Sequence, residues 1–272
     1  MENLRGSSTL NTLSKAIVFG QELLEEIVTK EKMELEQLVI ISLYRKLLEQ
    51  LDGAFILADH KSDSALKVII RSSLETYLAL SYILQKKKFI KDRAVSYYIG
   101  YIISQKKSAE FGLQNLDRGF PKEIMEAELK RANEVLRKDE YKRILDKWEE
   151  AKKKSRYNFE PKWYSLFNGP TSIKQLIKTL EKDDEQYRLY GLLSTEAHGY
   201  QALNAIYSEE KSLLLKPLRG GIAESTENLA RAFCTTSTKN IVANIFPSYE
   251  KKVSAFYKEN RIMPLRYYYT LE

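Results

Sequence analysis

"SALKVIIRSSLETYLALSYILQKK", residues 64–87, is the stretch that decides the fold. Wound at 3.6 residues per turn, its apolar side chains Leu66, Val68, Ile69, Ile70, Leu74, Leu78, Leu80, Ile83 and Leu84 point in almost every direction. A helix that is apolar all round belongs in the middle of a bundle, because none of its faces suits water. Ser62 or Asp63, in "HKSDSA" (60–65), can cap its start. Two charges interrupt the apolar surface. Arg71 and Glu75 stand four residues apart and so share one face. A buried lone ion is costly, so each charge needs a partner or a purpose. The two can pair with each other and fix helix register. Alternatively, the glutamate holds the arginine ready for a phosphate or an oxyanion.

The helical pattern continues on both sides. Upstream, "STLNTLSKAIVFGQELLEEIV" (8–28) and "MELEQLVIISLYRKLLEQLDGAFILADH" (33–60) space their apolar residues at helical intervals. Downstream, "RAVSYYIGYIISQKKSAEFGL" (93–113) is helical and aromatic on one side. After the break "NLDRGFPKE", residues 121–154 read as one long charged helix with Pro121 in its first turn. "RYNFEPKWYSLFNGPTS" (156–172) is a connector rich in aromatics, which predicts that it folds back onto the body. "SIKQLIKTLEK" (172–182) is a short helix. "EEKSLLLKPLRGG" (209–221) reads as a loop, "IAESTENLARAFCTTSTKNIVANIF" (222–246) as an amphipathic helix, and Pro247 opens a last one. Only 11 glycines and 6 prolines punctuate the 272 residues, which favours long helices over many strands. The expectation is an all-α multi-helix bundle of about eight to nine helices, a single domain over 1–272. Its core covers about 35–110 and 160–245, with a long charged helical insertion at about 121–155 and a C-terminal helix at 247–258.

A 43% apolar and 30% charged composition is that of a globular chain and excludes a disordered one. The net charge of +7 is a moderate excess that suits a polyanion such as RNA or DNA but is also common in proteins that touch neither. Its basic runs, "KKKFIKDR" (86–93) and "AKKKSR" (151–156), read equally as solvated helix faces. The single cysteine, Cys234, excludes an internal disulfide. With the polar start "MENLRGSST", it points to a reducing cytoplasm. No apolar run is long enough to span a membrane. His60, in "LADHKSDS", reads as part of a turn, and no metal or cofactor is expected. The C-terminal "RYYYTLE" reads as a packing or partner surface.

The second histidine lies in "DDEQYRLYGLLSTEAHGY" (183–200). Tyr187, Gly191, Ser194 and His198 fall on one helical stripe, with Tyr190 beside it. A serine one turn before a histidine can orient the ring or fix its tautomer. No third member of a catalytic triad is present, and Gly199 equally allows a histidine that merely caps a helix end.

Together "RSSLETYLALSYIL", "WYS" (163–165) and "YRLYGLLSTEAHG" (187–199) resemble a bacterial family of unknown function, number 5677, over about residues 35–245. Such helical proteins look similar to the wider HEPN group, many of which are dimeric, metal-independent ribonucleases of toxin and anti-phage systems. The resemblance implies an effector acting on RNA, as a homodimer or with a partner protein of a defence system. In that reading His198 is the base or acid and Arg71 holds the scissile phosphate. Glu75 positions Arg71, Ser194 orients His198, and Tyr187, Tyr190, Trp163 and Tyr164 meet the substrate. The chain departs from the HEPN signature, which sets an arginine five to seven positions before the histidine. Residues 191–193 are Gly191, Leu192 and Leu193. Either Arg71 supplies that charge from a neighbouring helix, or the chain is a non-catalytic module that binds a nucleotide, a nucleic acid or a protein. A purely structural polar core, with function carried by the charged helix, is the third reading.

Overall fold

The computed structural model describes residues 8–155, 159–181, 184–209, 212–222 and 224–262. It is all-α apart from one short hairpin. The chain falls into two compact units, one made of Met1–Lys87 with Leu180–Glu272 and the other of Lys88–Thr179. Ten α-helices are present among the described residues: α1 (Ser8–Lys30), α2 (Leu35–Asp59), α3 (Asp63–Leu84), α4 (Ile90–Gln114), α5 (Lys122–Leu136), α6 (Lys142–Lys154), α7 (Ile173–Glu181), α8 (Asp184–Ala197), α9 (Glu224–Asn244) and α10 (Glu250–Glu259). No described helix is long and apolar enough to cross a membrane.

In the first unit α3 is the central element and packs against α2, α8 and α9. Its C-terminal half is sealed on all sides: every residue from Tyr77 to Leu84 is buried. Its N-terminal half is one-sided. Leu66, Ile70 and Leu74 are buried, whereas Val68 is exposed and Arg71 and Glu75 are half-buried. The all-round apolar reading therefore holds for two turns, and the two charges occupy the face that stays open.

Close approach elsewhere is set by small residues and internal hydroxyls. A Cβ on Gly20 of α1 would meet the Tyr44 hydroxyl at 2.5 Å and Leu48 at 3.0 Å. Tyr44 is wholly buried and bonds Thr238 of α9 at 2.5 Å. Thr238 already donates to the Cys234 carbonyl at 2.8 Å, which leaves Tyr44 as the donor. Tyr257 of α10 donates to the Thr235 carbonyl at 2.5 Å. The run Thr235 to Thr238 is thus a buried polar stripe, in which the Thr235 and Thr238 hydroxyls bond to α9's own backbone while the Ser237 hydroxyl is buried without a partner. Between α8 and α9 two strands, β1 (Ile206–Glu209) and β2 (Ser212–Leu215), form an antiparallel hairpin with Ile206 opposite Leu215. Residues 209–221 read as a loop from sequence. Instead Leu213, Leu214 and Leu215 extend opposite Ile206 and Tyr207, residue types that favour a pleated strand once paired.

In the second unit α4 packs against α5, α6 and a 3-10 segment, Trp163–Asn168. The segment 121–154 is not one helix. A 3-10 turn at Asp139–Tyr141 separates α5 from α6. The reason lies in the phase of the buried residues. Ala132 is buried in α5, and Tyr141, Ile144 and Trp148 are buried after the turn. Nine residues of unbroken helix, at about 100° each, would set Tyr141 on the face opposite Ala132. The turn brings both onto the buried side. The aromatic connector also folds back as expected: Trp163 meets Tyr97 of α4 edge-on, 5.2 Å between ring centres. The stretch "RYYYTLE" lies outside the described residues.

Candidate functional site

Two helices of the first unit build the polar cluster that the sequence points to. α3 and α8 run antiparallel. Ser64, in the first turn of α3, donates to Glu196 near the end of α8 at 2.5 Å, and Arg71, two turns on, reaches Tyr190. Leu193 anchors α8 in the core. The helix stops where Gly199 takes φ +73°, a left-handed conformation that glycine adopts without penalty, and the Tyr200 amide bonds the Thr195 carbonyl across it at 3.0 Å.

Arg71, Glu75 and Tyr190 meet directly. Arg71 Nη2 lies 3.1 Å from Glu75 Oε1 and donates to the Tyr190 hydroxyl at 3.0 Å. Tyr190 in turn donates to Glu75 Oε1 at 3.2 Å. The guanidinium carbon also stands 5.2 Å from the centre of the Tyr190 ring, within cation–π range. Burial pushes the Tyr190 hydroxyl pKa up, the Glu75 carboxylate adds to this, and the Arg71 charge opposes it. The phenol therefore keeps its proton and donates. Nη2 is committed twice, whereas Nε is buried and bonds nothing. The Arg71 side chain is 22% exposed and that of Glu75 41%. The arginine is thus held on one edge and open to solvent on part of the rest. One layer behind, Gln50 of α2 donates to Ser72 at 2.8 Å and locks the neighbouring turn of α3.

His198 stands apart from this cluster. It follows the last residue of α8, and its ring is exposed. Its link to Ser194 is the helical backbone bond, amide to carbonyl at 3.1 Å, and no hydrogen bond joins the two side chains among the described residues. Eight residues separate it from Tyr190, a rise of about 12 Å along α8. Tyr190, Ser194 and His198 follow one another at four-residue steps, so they lie along one side of the helix. Tyr187 is half-buried one turn earlier.

Trp163 and Tyr164 belong to the second unit, where they face each other edge-on at 5.5 Å. Trp163 borders a cleft of about 320 Å3 with Gly100, Ile103, Lys107, Trp148 and Glu160. Glu160 is its electrostatic centre, and the sequence reading passed over it. Lys107 and Lys152 pair with Oε1 at 3.0 and 2.8 Å, and Trp148 donates to Oε2 at 2.7 Å. Burial would raise the carboxyl pKa, but Lys152, Trp148 and Lys107 together bring it down to about 2. The signal was present as one acid in the basic and aromatic run "NFEPKW". Lys152 and Lys154 of the basic run 151–156 are neutralised by Glu160 and Glu150. His60 caps α2, its Nδ1 3.0 Å from the Ile56 carbonyl. No three His, Cys, Asp or Glu side chains gather as a metal site would need among the described residues.

These features define an all-α bundle protein with a tyrosine-braced arginine between two antiparallel helices. The chain belongs to the family of unknown function DUF5677, whose model matches residues 37–212. That span takes in Arg71, Glu75, Tyr190, Ser194 and His198, and ends earlier than the expected residue 245. No curated protein and no solved structure matches the chain.

Proposed function

We propose that the chain recognises phosphate groups of RNA through Arg71, in the setting of a bacterial defence or toxin system. The resemblance to the HEPN group, from whose signature the chain departs at residues 191–193, is what suggests that setting. The observation that carries the reading is the brace on Arg71. Glu75 and Tyr190 fix one edge and one face of the guanidinium while part of the side chain stays open to solvent. An arginine held this way loses little freedom on meeting a phosphate, to which Nη1, the guanidinium nitrogen outside the brace, can donate charge-assisted hydrogen bonds. The net charge of +7 would favour approach of a polyanion. The test is fluorescence anisotropy with single-stranded RNA in chelator, at several salt concentrations. Arg71→Ala is expected to weaken binding at least tenfold and to reduce the salt slope by about one. Arg71→Lys keeps the charge but not the braced guanidinium and falls between. Unchanged affinity in a folded Arg71→Ala variant overturns the reading.

One observation favours a second, catalytic reading: the exposed His198 shares a side of α8 with Tyr190. An imidazole there could take the proton from a 2′-hydroxyl. That oxygen would then attack phosphorus, the bond from phosphorus to the 5′-oxygen would break as the imidazolium gives its proton to that oxygen, and a 2′,3′-cyclic phosphate and a 5′-hydroxyl would remain. With His198 offset from Tyr190 by about 12 Å along α8, Arg71 and His198 would address different nucleotides of one strand in this reading, Arg71 as an anchor. His198→Ala should abolish cleavage and cellular toxicity while RNA binding persists. Binding without cleavage by the native chain leaves the non-catalytic module alone standing.

A further inference from the structure

We propose that the cleft of the second unit is a binding site for a small organic anion with a flat apolar body, an aromatic carboxylate in its simplest form. The proposal does not depend on the phosphate reading of Arg71, which lies in the first unit. Three pieces of chain build the cleft. Gly100, Ile103, Ser104 and Lys107 line it at spacings of three, one and three residues, a single stripe of α4. Trp148 comes from α6, and Pro161, Lys162 and Trp163 come from the aromatic connector. Glu160 ties the three together, because Lys107 of α4 and both Lys152 and Trp148 of α6 meet its carboxylate. The walls are therefore fixed before a guest arrives, which lowers the cost of binding one.

Size, shape and charge select the guest. A volume of about 320 Å3 falls at the small end of ligand pockets, roughly 300–1,000 Å3, and suits a small molecule. Shape favours a flat body. Trp163 packs edge-to-face with Tyr97 and with Tyr164, at 5.2 and 5.5 Å between ring centres, so its indole is held in place. A Cβ on Gly100 would lie 3.3 Å from Trp148 Cη2 and 3.3 Å from Trp163 Cβ, so glycine there keeps both residues uncrowded where they border the cleft. Charge favours an anion. Lys107, Lys152 and Lys162 stand against the one carboxylate of Glu160. Two of those lysines already answer its charge, so it does not invite a cation. An ammonium has three donors, and Lys107 directs one at Glu160. Lys162 is exposed, and its ammonium joins no ion pair among the described residues. Both line the cleft and can donate to a carboxylate seated in it, as can the Ser104 hydroxyl.

The experiment is isothermal titration calorimetry of the full chain with naphthalene-1-carboxylate at neutral pH. Binding at one site per chain is expected, with a dissociation constant below about 1 mM. Tryptophan emission should change with it, since both tryptophans of the chain border the cleft. The neutral naphthalene-1-carboxamide keeps the rings and loses the charge, and should bind about tenfold more weakly. Lys162→Met removes an exposed ammonium and should weaken the carboxylate about fivefold while leaving the carboxamide unchanged. Ser104→Leu, at an exposed position, puts bulk into the cleft and should weaken both ligands with an unchanged far-ultraviolet dichroism spectrum. No heat and no change in emission up to about 5 mM ligand, equal affinity for carboxylate and carboxamide, or indifference to Lys162→Met would each overturn the proposal. So would displacement of the carboxylate by single-stranded RNA, which would make the cleft part of an RNA surface.

Discussion

Tyr190 holds Arg71 twice over: its hydroxyl takes the Nη2 hydrogen bond at 3.0 Å, and its ring lies 5.2 Å from the guanidinium carbon. The two roles can be separated. Tyr190→Phe keeps the ring and drops the hydroxyl, which should cost ~1 kcal/mol of stability and loosen the arginine. Tyr190→Ala removes both and should cost more. Urea denaturation followed by circular dichroism gives the stabilities, and RNA anisotropy gives the functional effect. If Tyr190→Phe matches the native chain in both, the hydroxyl does nothing.

Two glycines should respond to the same substitution with opposite signs. A methyl group on Gly20 would run into the Tyr44 hydroxyl and Leu48, so Gly20→Ala should destabilise by about 1–3 kcal/mol. Gly53 sits inside α2 with nothing within 4 Å of the added carbon. There Gly53→Ala should stabilise by about 0.5–1 kcal/mol, because the unfolded chain loses freedom that the helix never used. Equal effects from the two would contradict the packing between α1 and α2.

Glu160 makes the second unit sensitive to acid. Its carboxyl falls from an ordinary 4.5 to about 2 in the fold. Between those values the unfolded chain takes up a proton that the folded chain refuses, so stability should be full above about pH 4.5 and decline towards pH 2. Both tryptophans of the chain, Trp148 and Trp163, border the same cleft and report this directly by fluorescence. Glu160→Gln should flatten the decline while lowering stability at neutral pH. A native acid profile in that variant would remove Glu160 from the account.

Cys234 should be inert in the folded protein. Burial pushes its thiol up to about 12, so at neutral pH almost no thiolate exists and no reagent reaches it. Labelling with a thiol reagent should therefore track unfolding, slow in buffer and complete in denaturant. Rapid labelling under native conditions would mean that α9 opens locally.

The helices were legible because long apolar periodicity is a local signal. The pattern of residues 64–87, together with the low glycine and proline count, was enough to define a bundle. Two elements were misjudged for non-local reasons. The charged segment 121–154 looks continuous, since its polarity hides the phase change between Ala132 and Tyr141 that forces the turn. Ile206 and Leu215 become strands only by pairing with each other, which no short window reveals. Of the candidate site, the pairing of Arg71 with Glu75 followed from a four-residue spacing. Tyr190 as its brace did not, because a contact across 119 positions depends on how α3 and α8 pack. The eight-residue step along α8 from Tyr190 to His198 keeps His198 about 12 Å along the helix from that contact.

The first unit is discontinuous in sequence, and this bears on how the protein is made. Arg71 leaves the ribosome 119 residues before Tyr190, a delay of roughly 6–24 s at ordinary rates of synthesis. For that interval Arg71 on α3 has no Tyr190 to brace it, while an entire second unit emerges and can fold. Completion of the arginine centre is therefore a late event in biogenesis, and an interrupted message yields a polypeptide in which it never assembles.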